Sequence, residues 1–549
     1  MIEQLKTFWA EKKYRLIFIG IMLAALAMRI LMFFGPMEYD EIWSLRYVGN
    51  SAWTILTDLA TPNNHPLNSL FMKLWLSCPG ISELPQLTRL HSLVFGMLSV
   101  ALTGMLALGL FRSRAAALLS MVFFAFDAAA VYYSDQARGY SMQLFFLLCF
   151  ANGLAWSGRL RKFLPWKYLP EAAIIVGALG AVLSVPTAPI FLAAIVISGR
   201  VLRRKIPDAS VFIALGIAAA LVAAYLGINQ AGLHKAQAGF GKHLASGDDW
   251  IGFLIMIVQD FFPLATAPFL LMLAATDRKR GLAFLFCAAV ILGSAALASA
   301  GPSRVYLPLC ALIALGCGRG AHALFTAALV RNNLKLVRIL AVTTAFLAGF
   351  GYYQLYDTWH VTDYCGWFDA ASSMPSDHLI VYPATSGFPL LWNNDRKKLA
   401  QDQFERMTFD GIGMRRLLCF GVEPGYVNGG NPKKNGMPQE ERKLAVSGTP
   451  RAPGGFPAVD YELHPAETPR PGETFVAVIP PVDEETYRRI SDALARLAPQ
   501  NILILNPHFK VGILICGDAP ESSADWRELR NAGAKLYTFA PETIPAKKK

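Results

Sequence analysis

The chain has 549 residues, 54% of them hydrophobic and only 16% charged, with a mean hydropathy of +0.37. That balance excludes an ordinary soluble domain, and repeated apolar runs of spanning length mark a polytopic α-helical membrane protein. The formal charge of +12 gives no nucleic-acid signal, because much of the Lys and Arg sits in short loops and forms no basic stripe interleaved with aromatics.

Lys6, Lys12, Lys13 and Arg15 precede a first apolar run, Leu16 to Phe34, which reads as an uncleaved signal anchor with a cytoplasmic N-terminus. Loop charge then sets the direction of each later span. Residues 89–110 return to Arg112 and Arg114, 115–132 lead out, and 140–157 come back to Arg159, Arg161 and Lys162. The run 171–199 ends at another basic loop, Arg200 to Lys205, so it must cross an even number of times. It is predicted to be a hairpin turning at Ser184-Val185-Pro186-Thr187. Its arms, about 13 residues or roughly 20 Å each, suit a region that dips towards a cavity.

Residues 210–228 lead out, 252–274 return to Asp277–Arg280, 282–299 lead out, 305–328 return to Arg331, and 339–356 exit. The expectation is about eleven spans, basic on every inner loop, with the C-terminus outside. The first external loop, 35–88, contains two amphipathic stretches, Ile42 to Leu59 and Leu67 to Leu76, read as interfacial helices with Trp43, Trp53 and Trp75 in their plane.

Beyond about residue 360, short β-rich segments at His378, Thr474, Asn501 and Lys535 alternate with helical patterns at 395–416 and 483–498. A small extracytoplasmic α/β domain over 359–549 is expected, behind a transmembrane catalytic domain over 1–358, with 421–458 as a long loop. No Gly-rich phosphate fingerprint follows these strands, which argues against a nucleotide site. There is no CxxC pair; Cys149, Cys287, Cys310 and Cys317 lie in apolar runs. Cys78, Cys365, Cys419 and Cys516 fall on the oxidising side, with their pairing open.

Chemistry gathers at one membrane face. Asp40 and Glu41 stand where the first span emerges, and Asn63-Asn64-His65-Pro66 follows in the same loop. The outer end of the third span gives Tyr133-Ser134-Asp135-Gln136-Ala137-Arg138-Gly139-Tyr140, and that of the tenth gives Arg304-Val305-Tyr306. A lone carboxylate here is more often a wet helix end, and a lone arginine often snorkels to the headgroups. Arg138 and Arg304 each open an apolar span, where charge is costly unless it meets a cavity or ligand. Arg29, within the first span, is closer to the structural reading. Carboxylate and guanidinium together suit transfer from a lipid phosphate: a base for the attacking hydroxyl and a cation for the departing phosphate. The loop at 229–251, with His234, His243, Asp248 and Asp249, reads as solvated.

These residues resemble the GT-C superfamily of integral-membrane glycosyltransferases, and within it the protein O-mannosyltransferase and lipid A aminoarabinose transferase-like members. The resemblance covers about residues 10–330. It implies an all-α polytopic membrane fold and an inverting transfer of sugar from a polyprenyl-phosphate donor to a lipid, glycan or protein acceptor. It further implies Asp40 as general base, with Glu41 beside it. Asn64 and His65 would lie near the donor phosphate or a metal, and Arg138 would meet that phosphate. Arg304 is expected to join His65 and Arg138 there, with Asn64, Tyr140 and Tyr306 contacting substrate. The chain departs from the family's second-site pattern, having Asn64-His65-Pro66-Leu67, and Gln136 stands where relatives carry Glu. Hence no cofactor is implied outright and a divalent metal is left open. The setting implied is a bacterial inner membrane, with membrane lipids as surroundings. The rival is a transporter or lipid flippase, which should show internal repeats and mid-membrane charges; the sequence has no repeat.

Overall fold

The structure, a computed structural model, describes residues 11–34, 39–60, 64–78, 85–157, 168–202, 208–234, 266–297, 303–344 and 346, and eight strands between 378 and 539. Contacts divide the chain into two units, Met1–Phe34 with Tyr47–Leu355, and Gly35–Arg46 with Tyr356–Lys549.

The first unit is helical. Its helices are α1 (Lys12–Phe33) and, in the loop that follows it, α2 (Tyr39–Tyr47, whose last residue alone belongs to this unit), α3 (Ala52–Thr57) and α4 (Pro66–Leu76). Then follow α5 (Leu90–Phe111), α6 (Arg114–Ala125), α7 (Ala128–Ser134), α8 (Tyr140–Trp156), α9 (Leu169–Ser184) and α10 (Ala188–Leu202). The series ends with α11 (Ala209–Ile228), α12 (Ala267–Thr276), α13 (Arg278–Leu297) and α14 (Leu309–Val330). Among the described residues four helices are long and apolar enough to cross a membrane, or five if the bent pair α6–α7 is one span. Large apolar side chains such as Ile213, Leu271 and Leu285 are exposed on helix surfaces, as hydrocarbon-facing positions should be. The chain is an integral membrane protein. Most of the span predicted at 252–274 and of that at 339–356 lies outside the described residues.

Two departures from continuous helix position the site. The span expected at 115–132 is bent by 64° between α6 and α7. Asp127 leaves helical geometry and its carboxylate accepts the Ala130 N–H at 2.8 Å, so the chain is re-capped in mid-span. The hairpin expected over 171–199 is present, with arms of 16 and 15 residues. Val185 is extended, as the residue before Pro186 prefers to be, and α10 restarts at Ala188.

Helix α9 lies against α8 along a seam of small residues. A Cβ at Gly177 would sit 2.7 Å from the Phe146 carbonyl, and one at Gly180 2.5 Å from the Phe146 ring. In the first loop, the amphipathic stretch predicted from Ile42 to Leu59 divides into α2 and α3 at Val48–Ser51. Lys73 of α4 ties that break down by donating to the carbonyls of Val48 at 3.0 Å and Asn50 at 2.8 Å.

In the second unit, the strands are β1 (His378–Val381), β2 (Arg416–Cys419), β3 (Arg442–Ser447), β4 (Asp460–Pro465), β5 (Phe475–Ile479), β6 (Asn501–Asn506), β7 (Val511–Cys516) and β8 (Lys535–Phe539). They form one mixed sheet in the order β4-β3-β2-β1-β5-β7-β6-β8, with β1 parallel to β2 and β5 and the other pairs antiparallel. β1, β5, β6 and β8 coincide with predicted strands. β3 falls in the stretch predicted to be loop, where Arg442-Lys443 gives little apolar signal; its register comes from pairing with β2 and β4. The helices predicted at 483–498 and over most of 395–416 lie outside the described residues.

Candidate active site

The site is built around an imidazole. His65 precedes α4, with Pro66 supplying the first helical residue, and is 3% exposed. Its Nδ1 lies 3.0 Å from the carbonyl oxygen of Ser184, at the end of α9. A carbonyl can only accept, so Nδ1 carries the proton and Nε2 is left as a lone pair. Burial first, and the guanidinium of Arg138 next, push His65 well below its ordinary value of 6.5; Arg304 adds to the fall, while the bond to Ser184 opposes it. His65 is therefore a neutral imidazole, and its chemistry at Nε2 is that of an acceptor.

Residues 135–139 bring Arg138 beside it. Asn68 on α4 donates to the Ala137 carbonyl at 3.1 Å and accepts from His91 Nε2 at 2.6 Å. Ser92 on α5 donates to the Arg138 carbonyl at 3.3 Å, and Ser141 to the Tyr133 carbonyl at 2.6 Å. Gly139 is required by the closeness of this approach: a Cβ there would overlap the Ser184 carbonyl and lie 2.9 Å from His65 Cβ. Arg138 is 1% exposed, with its guanidinium 5.5 Å from the Tyr140 ring centroid and Nη2 3.4 Å from the Tyr140 hydroxyl. Tyr140 meets His65 edge-on at 5.0 Å and Tyr133 at 5.2 Å. Arg304 and Tyr306 stand in a short 3-10 turn, Ser303–Tyr306, before α14. Tyr306 is 3% exposed, contacts the Phe191 ring at 6.3 Å, and has its phenol pushed up to about 12 by burial.

Of the residues predicted from sequence, the structure thus gathers His65, Arg138, Tyr140 and Arg304, with Tyr306 two residues beyond Arg304. Asn64 is 3% exposed and holds the loop together, donating to the carbonyls of Ile55 at 2.8 Å and Asp58 at 2.6 Å and accepting from Ser69 at 3.2 Å. Asp40 and Glu41 belong to the segment grouped with the second unit, in the first turn of α2, where the helix dipole favours negative charge. Asp40 is half-buried and Glu41 fully buried; the Asp40 carbonyl accepts from Ser44 at 2.8 Å. Being adjacent, the two side chains leave the helix about 100° apart and do not form a pincer.

A divalent cation does not fit the His65 cluster, where two guanidinium groups already act on the one nitrogen ligand. Among the described residues no three His, Cys, Asp or Glu side chains gather as ligands.

The bundle holds an apolar cavity of about 170 Å³, lined among others by Leu144, Leu148, Phe191, Cys287, Pro308 and Leu315. Phe191 and Pro308 connect it to the Arg304–Tyr306 turn. Two polar residues that the sequence did not mark as site residues lie along α8 and at the α9–α10 turn. Gln143, on α8, is fully buried, and Thr187 opens α10. A lone Gln inside an apolar run was the available signal.

No family model matches the chain, and no curated protein does. Among solved structures it is similar to ArnT from Cupriavidus metallidurans bound to undecaprenyl phosphate, at 12% identity and a TM-score of 0.46, over 92% of this chain and 98% of that one. It is also similar to the Archaeoglobus fulgidus oligosaccharyltransferase in complex with Zn and sulfate, at 13% identity and a TM-score of 0.41, over 69% of this chain and 61% of that one. The same archaeal enzyme, AglB, with an inhibitory peptide and a dolichol-phosphate gives 12% identity and a TM-score of 0.41, over 71% and 64%. What the site can do is read from its own side chains.

Proposed function

We propose that the protein is an inverting, integral-membrane glycosyltransferase of GT-C type. It takes a sugar from a polyprenyl-phosphate donor and passes it to a hydroxyl on an extracytoplasmic lipid, glycan or protein. The observation that carries this reading is the pair of guanidinium groups, Arg138 and Arg304, acting on one buried neutral histidine, in a bundle that also holds an apolar cavity reaching Phe191 and Pro308. Guanidinium groups suit a phosphate, and an apolar cavity in the same bundle suits a lipid chain. A transporter reading lacks support of this kind, since the cations gather on one cluster.

In this mechanism Asp40 takes the proton of the acceptor hydroxyl while that oxygen attacks the anomeric carbon. The bond from that carbon to the phosphate oxygen breaks on the opposite face, inverting the centre. Arg138 and Arg304 receive the phosphate as its charge develops, with greatest benefit because they are already oriented and partly dry. Glu41 supports Asp40, Tyr140 fixes the Arg138 guanidinium, and Asn64 and Tyr306 shape the walls. No step is routed through a metal. The topology that accompanies this reading has about eleven spans in a bacterial inner membrane, a cytoplasmic N-terminus and an extracytoplasmic C-terminal α/β domain.

The test is turnover of undecaprenyl-phosphate sugars by the purified full chain, reading release of undecaprenyl phosphate. Asp40→Asn should lower kcat about 10²- to 10⁴-fold, the usual worth of a general base. Release that survives the substitution sinks the base assignment. Flux of lipid or solute across liposomes without any release sinks the transferase.

A further inference from the structure

Buried polar atoms nearly always have partners, and those that lack them mark where a ligand or water belongs. Three such side chains lie at the α9–α10 turn or on the helix face turned towards it. His65 Nε2, both polar atoms of the Gln143 carboxamide and the Thr187 hydroxyl are buried without a hydrogen-bond partner. His65 is bonded to Ser184, the last residue of α9, and Thr187 follows three residues later.

Gln143 is placed by the α8–α9 seam. Gly139 presses on Ser184 and Phe146 on Gly180, so Gln143, between them on the same helical stripe, faces the end of α9. Residues 142–148 of this helix are otherwise apolar, from Met142 to Leu148. A carboxamide fully buried there, unpaired, costs stability and has no packing rationale.

We infer that His65, Gln143 and Thr187 form a polyol subsite that holds the donor's sugar by its hydroxyl groups. The donor and acceptor inventory selects that ligand. His65 Nε2 and Gln143 Oε1 only accept, Gln143 Nε2 only donates, and Thr187 Oγ1 does both. A phosphate, which only accepts, leaves the two acceptors unanswered; a cation leaves the amide donors unanswered; an alkyl chain answers none. Sugar hydroxyls donate and accept at once and answer all of them. The phosphate-binding Arg138 adjoins this turn through Gly139, which places a sugar linked to that phosphate within reach. In the present state the atoms are shut off from solvent, so the non-helical stretch Val185–Thr187 must give way as the sugar enters.

This inference rests on the glycosyltransferase reading, and the experiment separates the two. Full-length protein in nanodiscs is titrated with bare undecaprenyl phosphate and with undecaprenyl-phosphate mannose, glucose and arabinose. Wild type should bind at least one sugar-bearing lipid more tightly than the bare one. Gln143→Leu and Thr187→Val should each reduce that preference about three- to tenfold, the worth of one neutral hydrogen bond, with bare-lipid affinity unchanged. Thr187→Ser, which keeps the hydroxyl, should restore it. Equal losses for bare and sugar-bearing lipid would mean a packing role and overturn the subsite. An unchanged preference would mean that ordered water alone fills it, and would overturn the subsite as well. Wild-type binding of bare and sugar lipids alike removes the subsite but leaves phosphate recognition standing. Binding of neither removes both.

Discussion

Two buried arginines in the first unit, Arg29 and Arg138, stand in contrasting surroundings, one structural and one proposed to serve chemistry. Arg29 is fully buried within α1 and is answered on several sides. Its Nη1 donates to the carbonyls of Ala25 at 3.0 Å and Ala125 at 3.2 Å, and its Nε to Ser134 at 3.2 Å, with the charges of Asp127 and Asp135 acting on it. It joins α1 to both sides of the α6–α7 bend, and does not snorkel. Arg138, four residues beyond Ser134, rests on the Tyr140 ring and shares its neighbourhood with the cation Arg304. Carbonyls, a hydroxyl and carboxylates surround Arg29; an aromatic face and a second cation lie near Arg138, the setting on which its proposed hold on a phosphate depends.

The largest expected effect separates the two by activity. Arg138→Ala should lower kcat/KM about 10²- to 10³-fold, as removal of one preorganised charge at a reacting phosphate does. Arg138→Lys should recover only part, since an ammonium lacks the planar fork. Collapse of the fold in Arg138→Ala would erase the contrast. The converse variant is Arg29→Met. It leaves Asp127 and Asp135 without their cation inside the bundle and should destabilise by about 3–5 kcal/mol. Thermal denaturation in detergent reads that loss, and donor affinity of the surviving folded fraction should be near wild type. A stable Arg29→Met protein with weak donor affinity would transfer Arg29 to the functional group.

The sequence distinguished these arginines only partly, for a physical reason. Loop charge reports which side of the membrane a segment is expected to face, and its parity located the turn at Ser184–Thr187. The strongly apolar helices α5, α8 and α11 were legible for the same cause. The distant answering groups of Arg29 were not, because Ala125, Asp127, Ser134 and Asp135 lie about 100 positions away, and one of them answers through a backbone carbonyl, which carries no residue signature. The α6–α7 bend was hidden likewise, since a single Asp127 in an apolar run looks like one unfavourable residue until its cap is seen. Hydropathy also could not reveal the acceptor state of His65, which depends on one bond to Ser184.

A smaller effect tests the closeness on which the Arg138 cluster depends. Gly139→Ala introduces a Cβ against the Ser184 carbonyl and His65. The obstacle is backbone at the end of a helix, which cannot rotate away as a side chain would. About 1–3 kcal/mol of destabilisation is expected, the usual range for overpacking, together with a weaker hold on the phosphate. Equilibrium denaturation and titration with undecaprenyl phosphate read the two parts. An unaltered protein would mean that the close approach of Gly139 to α9 does not hold the cluster together.

The smallest effect concerns His65 and depends on pH. Its folded pKa lies well below 6.5, so between the two values the unfolded chain binds a proton that the folded chain refuses. Stability must then rise with pH through that window and level off above about 6.5. His65→Gln removes the titration, so the slope of apparent Tm between pH 5 and 6.5 should be shallower in the variant, with the curves parallel above pH 7. Arg138→Ala in the His65 background should shift the window upwards, because one of the charges that keeps the imidazole neutral has gone. Arg29→Met should leave the window in place, since Arg29 is not among the charges that bear on His65. A wild-type slope of opposite sign, with stability rising as pH falls below 6.5, would mean that His65 carries a proton in the folded state. Nε2 would then be a donor, the cluster would hold three cations rather than two, and His65 would move from the sugar to the phosphate.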